Sequence, residues 1–207
     1  MTQRLTPSGA LLQLKQGNQR FMAGTPREDS TRHAVRRTAL LEAQQPFAAI
    51  LGCSDSRVPA ELVFDQGLGD LFVIRVAGNI VAPSQLGSIE FAVQQFNIGL
   101  VIVMGHSRCG AIDATLKNIR SQEQAATSNI ASIIARIRPA IEPLAKALSR
   151  EDPLLLQQAA VLANIQASVN QVRRGTSLIE ELIISKELVV AGASYDLASG
   201  EVMFLDF

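Results

Sequence analysis

No stretch of the 207 residues approaches the roughly 20 consecutive apolar positions that a membrane-spanning helix needs, so no membrane partner is expected. Neither sign of charge is in excess, because 19 Lys and Arg balance 19 Asp and Glu. A surface that binds nucleic acid normally shows a basic surplus, and no nucleic-acid partner is expected either. The opening segment, Met1 to Phe21, lacks a long apolar run followed by a small-residue cleavage site. It reads as an amphipathic helix rather than a secretion signal, which makes a soluble, cytoplasmic protein the expectation. Internal repeats, low-complexity tracts and long linkers are missing as well. The chain therefore reads as one domain over 1–207, with a helical N-terminal arm over about 1–40. Cysteine and histidine are scarce: Cys53 and Cys109, His33 and His106. Two cysteines allow one disulfide, but an intracellular chain of this size seldom needs one. A metal or catalytic use is the better reading.

What is present in quantity is hydrophobic residue, 47% of the chain, and it is patterned. Phe47 to Leu51, Leu71 to Val76, Leu100 to Met104 and Leu188 to Ala193 are short, nearly continuous apolar runs. Such runs suit strands covered on both faces, as in a parallel sheet. Helical spacing appears between them, over Pro83 to Phe96 and Cys109 to Ile119, and in the stripe Leu162, Ile165, Val169 and Val172. Ser177 and Glu180 have the spacing of a capping box for a helix over Leu178 to Ser185. Near the start, Leu11, Leu14, Asn18, Phe21 and Met22 fall near one face of a helix over Ser8 to Ala23. That helix either packs on its own domain or reaches over a second subunit. At the end, Val189 to Ser194, a turn at Ala198-Ser199-Gly200 and Val202 to Leu205 read as a hairpin. The expected fold is α/β: a four- to five-stranded, mostly parallel sheet with flanking helices and an antiparallel C-terminal edge.

Two motifs follow strands directly. Cys53-Ser54-Asp55-Ser56-Arg57 comes after the run ending at Leu51, and His106-Ser107-Arg108-Cys109-Gly110 after the run ending at Met104. In open parallel sheets, ligand sites lie outside the carboxyl ends of strands. If the two strands are neighbours, Cys53, His106 and Cys109 converge. Thiolate and imidazole suit zinc in a tetrahedron. Three protein ligands leave one position open, which marks a catalytic rather than a structural site. Two thiolates neutralise the charge of the ion, so an acceptor that favours hydroxide becomes useful. Asp55 is placed to accept from a zinc-bound hydroxide, and Arg57 to hold that carboxylate in a fork. Other motif chemistries fail. A phosphatase-type thiolate needs an Arg where Pro59 and Thr115 stand, and no phosphate-binding GxxxxGK[ST] loop or GxSxG elbow occurs.

At these residues the sequence resembles the β-carbonic anhydrases. The resemblance spans GNQRF (Gly17 to Phe21), CSDSRVPAE (Cys53 to Glu61), GDLFVIRVAGN (Gly69 to Asn79), GSIEFA (Gly87 to Ala92) and GHSRCGA (Gly105 to Ala111). It implies a lyase that interconverts carbon dioxide and bicarbonate, as in carbon utilization, with one Zn2+ per chain on Cys53, His106 and Cys109. It also implies an Asp55–Arg57 dyad in which Asp55 becomes the fourth ligand in a closed state at lower pH. Substrate-pocket positions implied by it fall on Gln44, Phe72, Ala77, Gly110 and, from a second subunit, Phe91. The assembly it implies is a homodimer, able to pair into a homotetramer, with the N-terminal helix crossing the dimer. One subclass of the family carries a noncatalytic bicarbonate site built on a Trp three residues before the first Cys, an Arg and a Tyr. Ile50 occupies that Trp position here, and the chain has no Trp, so inhibition of that type is not expected. Arg75 matches the Arg and reads otherwise as an ordinary ion pair. His33 lies in a polar segment and reads as surface solvation rather than a proton shuttle. Two rival functions keep the metal: hydrolysis of carbonyl sulfide or carbon disulfide on the same fold, and a silent zinc-binding scaffold subunit.

Overall fold

The computed structural model of the chain describes residues 5–27, 33–121, 127–148 and 152–205. Five strands form one sheet in the order β2-β1-β3-β4-β5. They are β1 (Ala48–Gly52), β2 (Leu71–Arg75), β3 (Leu100–His106), β4 (Val189–Tyr195) and β5 (Val202–Leu205). The first four are parallel, and β5 returns antiparallel to β4. This is the expected sheet, with strand limits moved by one or two residues. The central strands are buried at every position, five in β1 and seven in β3. Both faces are covered, which is why these strands read as unbroken apolar runs rather than alternating ones.

The cover comes from α-helices on each side. On one face lie α4 (Pro83–Phe96), α5 (Gly110–Ser121), α6 (Ser128–Ala147), α7 (Pro153–Arg173) and α8 (Ser177–Ile184), whose buried side chains join Ala49, Leu51, Val101 and Val103 in one core. On the other face, α1 (Pro7–Ala23) and α3 (Ala60–Val63) pack with Ile50, Ile102, Met104 and the β4–β5 pair. The remaining short helix, α2 (His33–Ala39), lies before β1. The side chain of His33, and with it the solvation reading, lies outside the described residues. Truncating Ile102 in the middle of this sheet, fully buried, would cost about 2–5 kcal/mol.

α1 packs on its own domain. Ala10, Leu14, Gly17 and Asn18 form its buried face. A Cβ on Gly17 would come within 1.8 Å of the Phe64 carbonyl oxygen, so only glycine allows that approach. Asn18 donates to the carbonyls of Val63 (3.1 Å) and Gly200 (2.8 Å) and accepts from the Val202 N–H (2.9 Å). It thereby pins the turn of the C-terminal hairpin to α1. Phe21 and Met22 are instead largely exposed.

Other local expectations shift. α7 buries Val161, Ile165, Val169 and Val172, but Leu162 is 38% exposed. The buried face is set one position earlier because α7 lies against both β3 and β4. α8 is capped by Thr176, which accepts from the Ile179 N–H at 3.4 Å. Ser177 is thus the first helical residue rather than the cap. α6 carries Pro139 and Pro143 inside it and is absent from the sequence reading. Its buried Ile134, Ile137, Ile141 and Ala145 keep helical spacing across both prolines.

Candidate metal centre

Register brings the two motifs together. Gly52, the last residue of β1, pairs with Met104 on one side and Arg75 on the other. Cys53 therefore leaves its strand level with Gly105, one residue short of His106. Adjacent strands lie about 4.8 Å apart, so the chain needs only a short turn after His106 to return Cys109 to the same point. Arg108 makes that turn in the left-handed region, φ 56°, which a non-glycine residue adopts at a cost of about 1–2 kcal/mol. The outcome is a group of donor atoms from Cys53, His106 and Cys109, all within 4.8 Å of one another and all buried.

The immediate surroundings fit a thiolate-rich cation site. The Cys53 sulfur accepts backbone N–H groups from Gly78 (3.4 Å) and Asp55. The Cys109 sulfur sits at the start of α5 and accepts the N–H groups of Ala111 and Ile112, so it caps the helix where the dipole favours negative charge. Donation from the Cys109 thiol, against the penalty of burial and aided by the N–H groups of Gly78 and Asp55, lowers the pKa of the Cys53 thiol. The same contact, together with burial, pushes Cys109 far up. His106 is fully buried. Its Nδ1 lies 2.9 Å from the Ser107 carbonyl oxygen, which only accepts, so Nδ1 carries the proton. Nε2 is then a bare lone pair, buried without a hydrogen-bond partner. An orphaned imidazole nitrogen beside two cradled sulfurs is a donor set able to hold a metal ion, and thiolate with imidazole is a set that suits zinc.

The carboxylate and guanidinium of the first motif meet as the spacing predicts. Arg57 donates to Asp55 through Nε (2.9 Å) and Nη2 (2.7 Å), and its backbone N–H adds a third bond at 3.0 Å. The fork holds the Asp55 carboxyl well below the usual carboxylate range. Asp55 Oδ2 lies 3.9 Å from His106 Nε2, so the paired carboxylate borders the donor group without joining it. Arg57 also reaches the Arg108 carbonyl at 3.4 Å, linking the two loops.

Arg75 makes no ordinary ion pair at this site. It donates to the carbonyl oxygens of Cys53 (3.0 Å) and Asp55 (2.6 Å) and splints the first loop. Its place as the last residue of β2, in register with Gly52, was the available signal. Gly78, also missed, has φ 71° and would meet Ile137 at 2.8 Å with any Cβ. Ala77 precedes it, and Gly110 follows Cys109 with open space beside it, so these two positions adjoin the donor group. The other pocket positions do not gather there within one chain. Gln44 is exposed ahead of β1, at the opposite end of that strand from Cys53. Phe72 pairs with Ala49 and packs against Phe91 and Phe96 with ring centroids 6.2 and 5.8 Å apart. Phe91 is 51% exposed. Ile50 is fully buried in the core under α1, so the place of the Trp is filled by an aliphatic side chain.

A family model described as carbonic anhydrase matches residues 48–202, which includes both loops and the whole sheet up to β5. The chain belongs to the β-carbonic anhydrase family. It is 39% identical over 197 residues to a carbonic anhydrase of Mycolicibacterium smegmatis, covering 95% of this chain and 92% of that one. It is 36% identical over 200 residues to carbonic anhydrase 2 of Mycobacterium tuberculosis, covering 97% and 93%. Among solved structures, the β-carbonic anhydrase CcaA superposes with a TM-score of 0.77 at 27% identity over 95% of each chain.

Proposed function

We propose that the chain binds one zinc ion through Cys53, His106 and Cys109 and catalyses the reversible hydration of carbon dioxide to bicarbonate and a proton. The observation that carries this reading is the group of donors from Cys53, His106 and Cys109 within 4.8 Å of one another, with His106 Nε2 left without a hydrogen-bond partner and Asp55 paired to Arg57 at the edge of the group. Zinc held by three protein ligands supplies Lewis-acid activation of water at its open position. The chain does the rest. The N–H groups on both sulfurs favour the thiolate forms, and the Ser107 carbonyl fixes the His106 tautomer that leaves Nε2 free. Asp55, kept ionised by Arg57, accepts a hydrogen bond from the attacking water and orients its lone pair toward carbon. One C–O bond forms, one C=O π bond opens to the oxyanion of bicarbonate, and a proton leaves to solvent.

We further read 1–207 as one domain acting in the cytoplasm, where a reducing environment keeps the two free cysteines available as ligands. Among the described residues no helix is long and apolar enough to cross a membrane. The assembly is read as a homodimer, able to pair into a tetramer. The half-exposed Phe91, the exposed Gln44 and the open edge of β2 support a second copy completing the pocket.

The test is carbon dioxide hydration followed by stopped flow with a pH indicator, with zinc assayed in the same sample. Rapid hydration with one zinc per chain is expected. Protein that takes up no zinc would overturn the ligand assignment. Zinc-loaded protein that hydrolyses carbonyl sulfide and leaves carbon dioxide untouched would overturn the substrate.

A further inference from the structure

Ser107 lies between two of the metal-site residues; its carbonyl meets His106, while its hydroxyl is bonded to Leu197. β3 and β4 stay in register to their last pair, His106 with Tyr195. Ser107 is therefore the first residue beyond the sheet, where the ladder no longer holds the chain. Its own groups continue the ladder instead. The Ser107 N–H donates to the Tyr195 carbonyl at 2.9 Å. Its hydroxyl accepts the Leu197 N–H at 2.9 Å. One residue thus makes two bonds, one to the last residue of β4 and one to the turn that follows it.

That turn is itself stiff. Asp196 accepts the N–H groups of Ala198 (3.0 Å) and Ser199 (2.8 Å), and the Gly200 N–H returns to the Asp196 carbonyl at 2.9 Å. On its far side Asn18 of α1 bonds Gly200 and Val202. The carbonyl of Ser107 is the acceptor for His106 Nδ1–H. Its direction depends on the dihedral angles of Ser107 and of Arg108, and Arg108 is held in the left-handed region, φ 56°. Freed of its side-chain bond to Leu197, Ser107 would let the following peptide relax from that costly turn and carry the carbonyl away from the imidazole.

We propose that Ser107 is a positioning residue for zinc, its hydroxyl tying the metal loop to the β4–β5 turn so that the Ser107 carbonyl holds His106 with Nε2 aimed at the sulfurs of Cys53 and Cys109. The proposal rests on the zinc-binding reading above. An outer partner that orients a histidine ligand is typically worth ~10–100-fold in metal affinity, and Ser107→Ala is expected to weaken zinc by that factor in competition with a chelator. Ser107→Thr keeps a hydroxyl and restores most of the affinity. The exchange lifetime of the His106 Nδ1 proton in zinc-loaded protein shortens in Ser107→Ala and recovers in Ser107→Thr, which a generalised loss of packing would not produce.

The two readings fail separately. Wild-type protein without zinc affinity would remove the zinc reading itself. Wild-type protein that binds zinc, with Ser107→Ala binding it equally, overturns only the role of Ser107, as does an equal loss in Ser107→Thr. Should Ser107→Ala fail to fold, Asp196→Asn carries the test. It removes the charge that holds the Ala198 and Ser199 N–H groups, and so loosens the turn to which Ser107 is tied; it is expected to weaken zinc about threefold, since charge-assisted bonds are roughly twice as strong as neutral ones. Unchanged affinity in that variant overturns the proposal.

Discussion

The two loops that meet at the metal centre end neighbouring parallel strands, yet they are built differently. The loop after β3 is sealed: His106 is fully buried, Cys109 is 2% exposed, and Ser107 is bonded into the C-terminal hairpin. The loop after β1 buries Cys53 and Val58 but leaves the residues between them at least partly exposed. Its Asp55 and Arg57 side chains are 17% and 53% exposed, and Arg75 holds it by its backbone alone. The sealed loop offers two donors whose positions are settled by packing. The open loop offers one donor and a charged pair that solvent and substrate can reach. On the proposed function the sealed loop serves the metal alone, while the open loop adds the reacting pair to its one donor, and substitutions of His106 or Cys109 and of Asp55 or Arg57 should separate metal retention from turnover.

The largest effect falls on the sealed loop. Cys109→Ser is expected to lower zinc affinity well beyond the ~10–100-fold typical of an outer-shell change, and hydration disappears with the metal. Stoichiometric zinc in the purified variant would contradict the division. Next comes Arg57→Ala in the open loop. It leaves zinc content intact and lowers hydration near neutral pH by about 100-fold, the cost of a misoriented reacting group. It also frees Asp55 to approach the donor group. Smaller again is Arg75→Ala. Loss of two bonds from a charged donor to the Cys53 and Asp55 carbonyls lowers unfolding free energy by about 1.5–3 kcal/mol, measured by denaturant titration, with zinc still bound.

The pH dependence of the open loop has a definite sign. The folded pKa of Asp55 is depressed, first by the Arg57 fork. The stability this pair contributes is therefore fully present above the unfolded carboxylate value of about 3.9. It is lost as pH falls below that value toward the folded pKa. Acid titration of wild type against Asp55→Asn should show the two stability curves converging only in strong acid. Convergence already near pH 5–6 would contradict it.

The sheet and the convergence of Cys53, His106 and Cys109 were legible because buried parallel strands are continuous apolar runs and because cysteine and histidine are so few. The fork between Asp55 and Arg57 was legible from spacing. What was not legible depends on contacts between distant parts of the chain. α6 was hidden because Pro139 and Pro143 interrupt it, and single-sequence patterns treat an internal proline as a break. Arg75 looked like any charged residue at a strand end, since its partners are carbonyl groups rather than acids. Ser107 is bonded to residues some ninety positions away, and nothing in its own motif points there. The seating of α1 on its own domain turns on Gly17 and Asn18, which mark a close approach only once Phe64 and Gly200 are seen beside them.

The central claim is that the Asp55–Arg57 pair serves turnover and not metal retention. The most direct test is Asp55→Ala compared with wild type at equal, assayed zinc content, with carbon dioxide hydration followed by stopped flow at mildly alkaline pH. The account predicts full zinc loading and hydration reduced by about 100-fold or more, the usual scale for losing a group that positions a reacting atom. A zinc-loaded Asp55→Ala enzyme that hydrates carbon dioxide at the wild-type rate would contradict it.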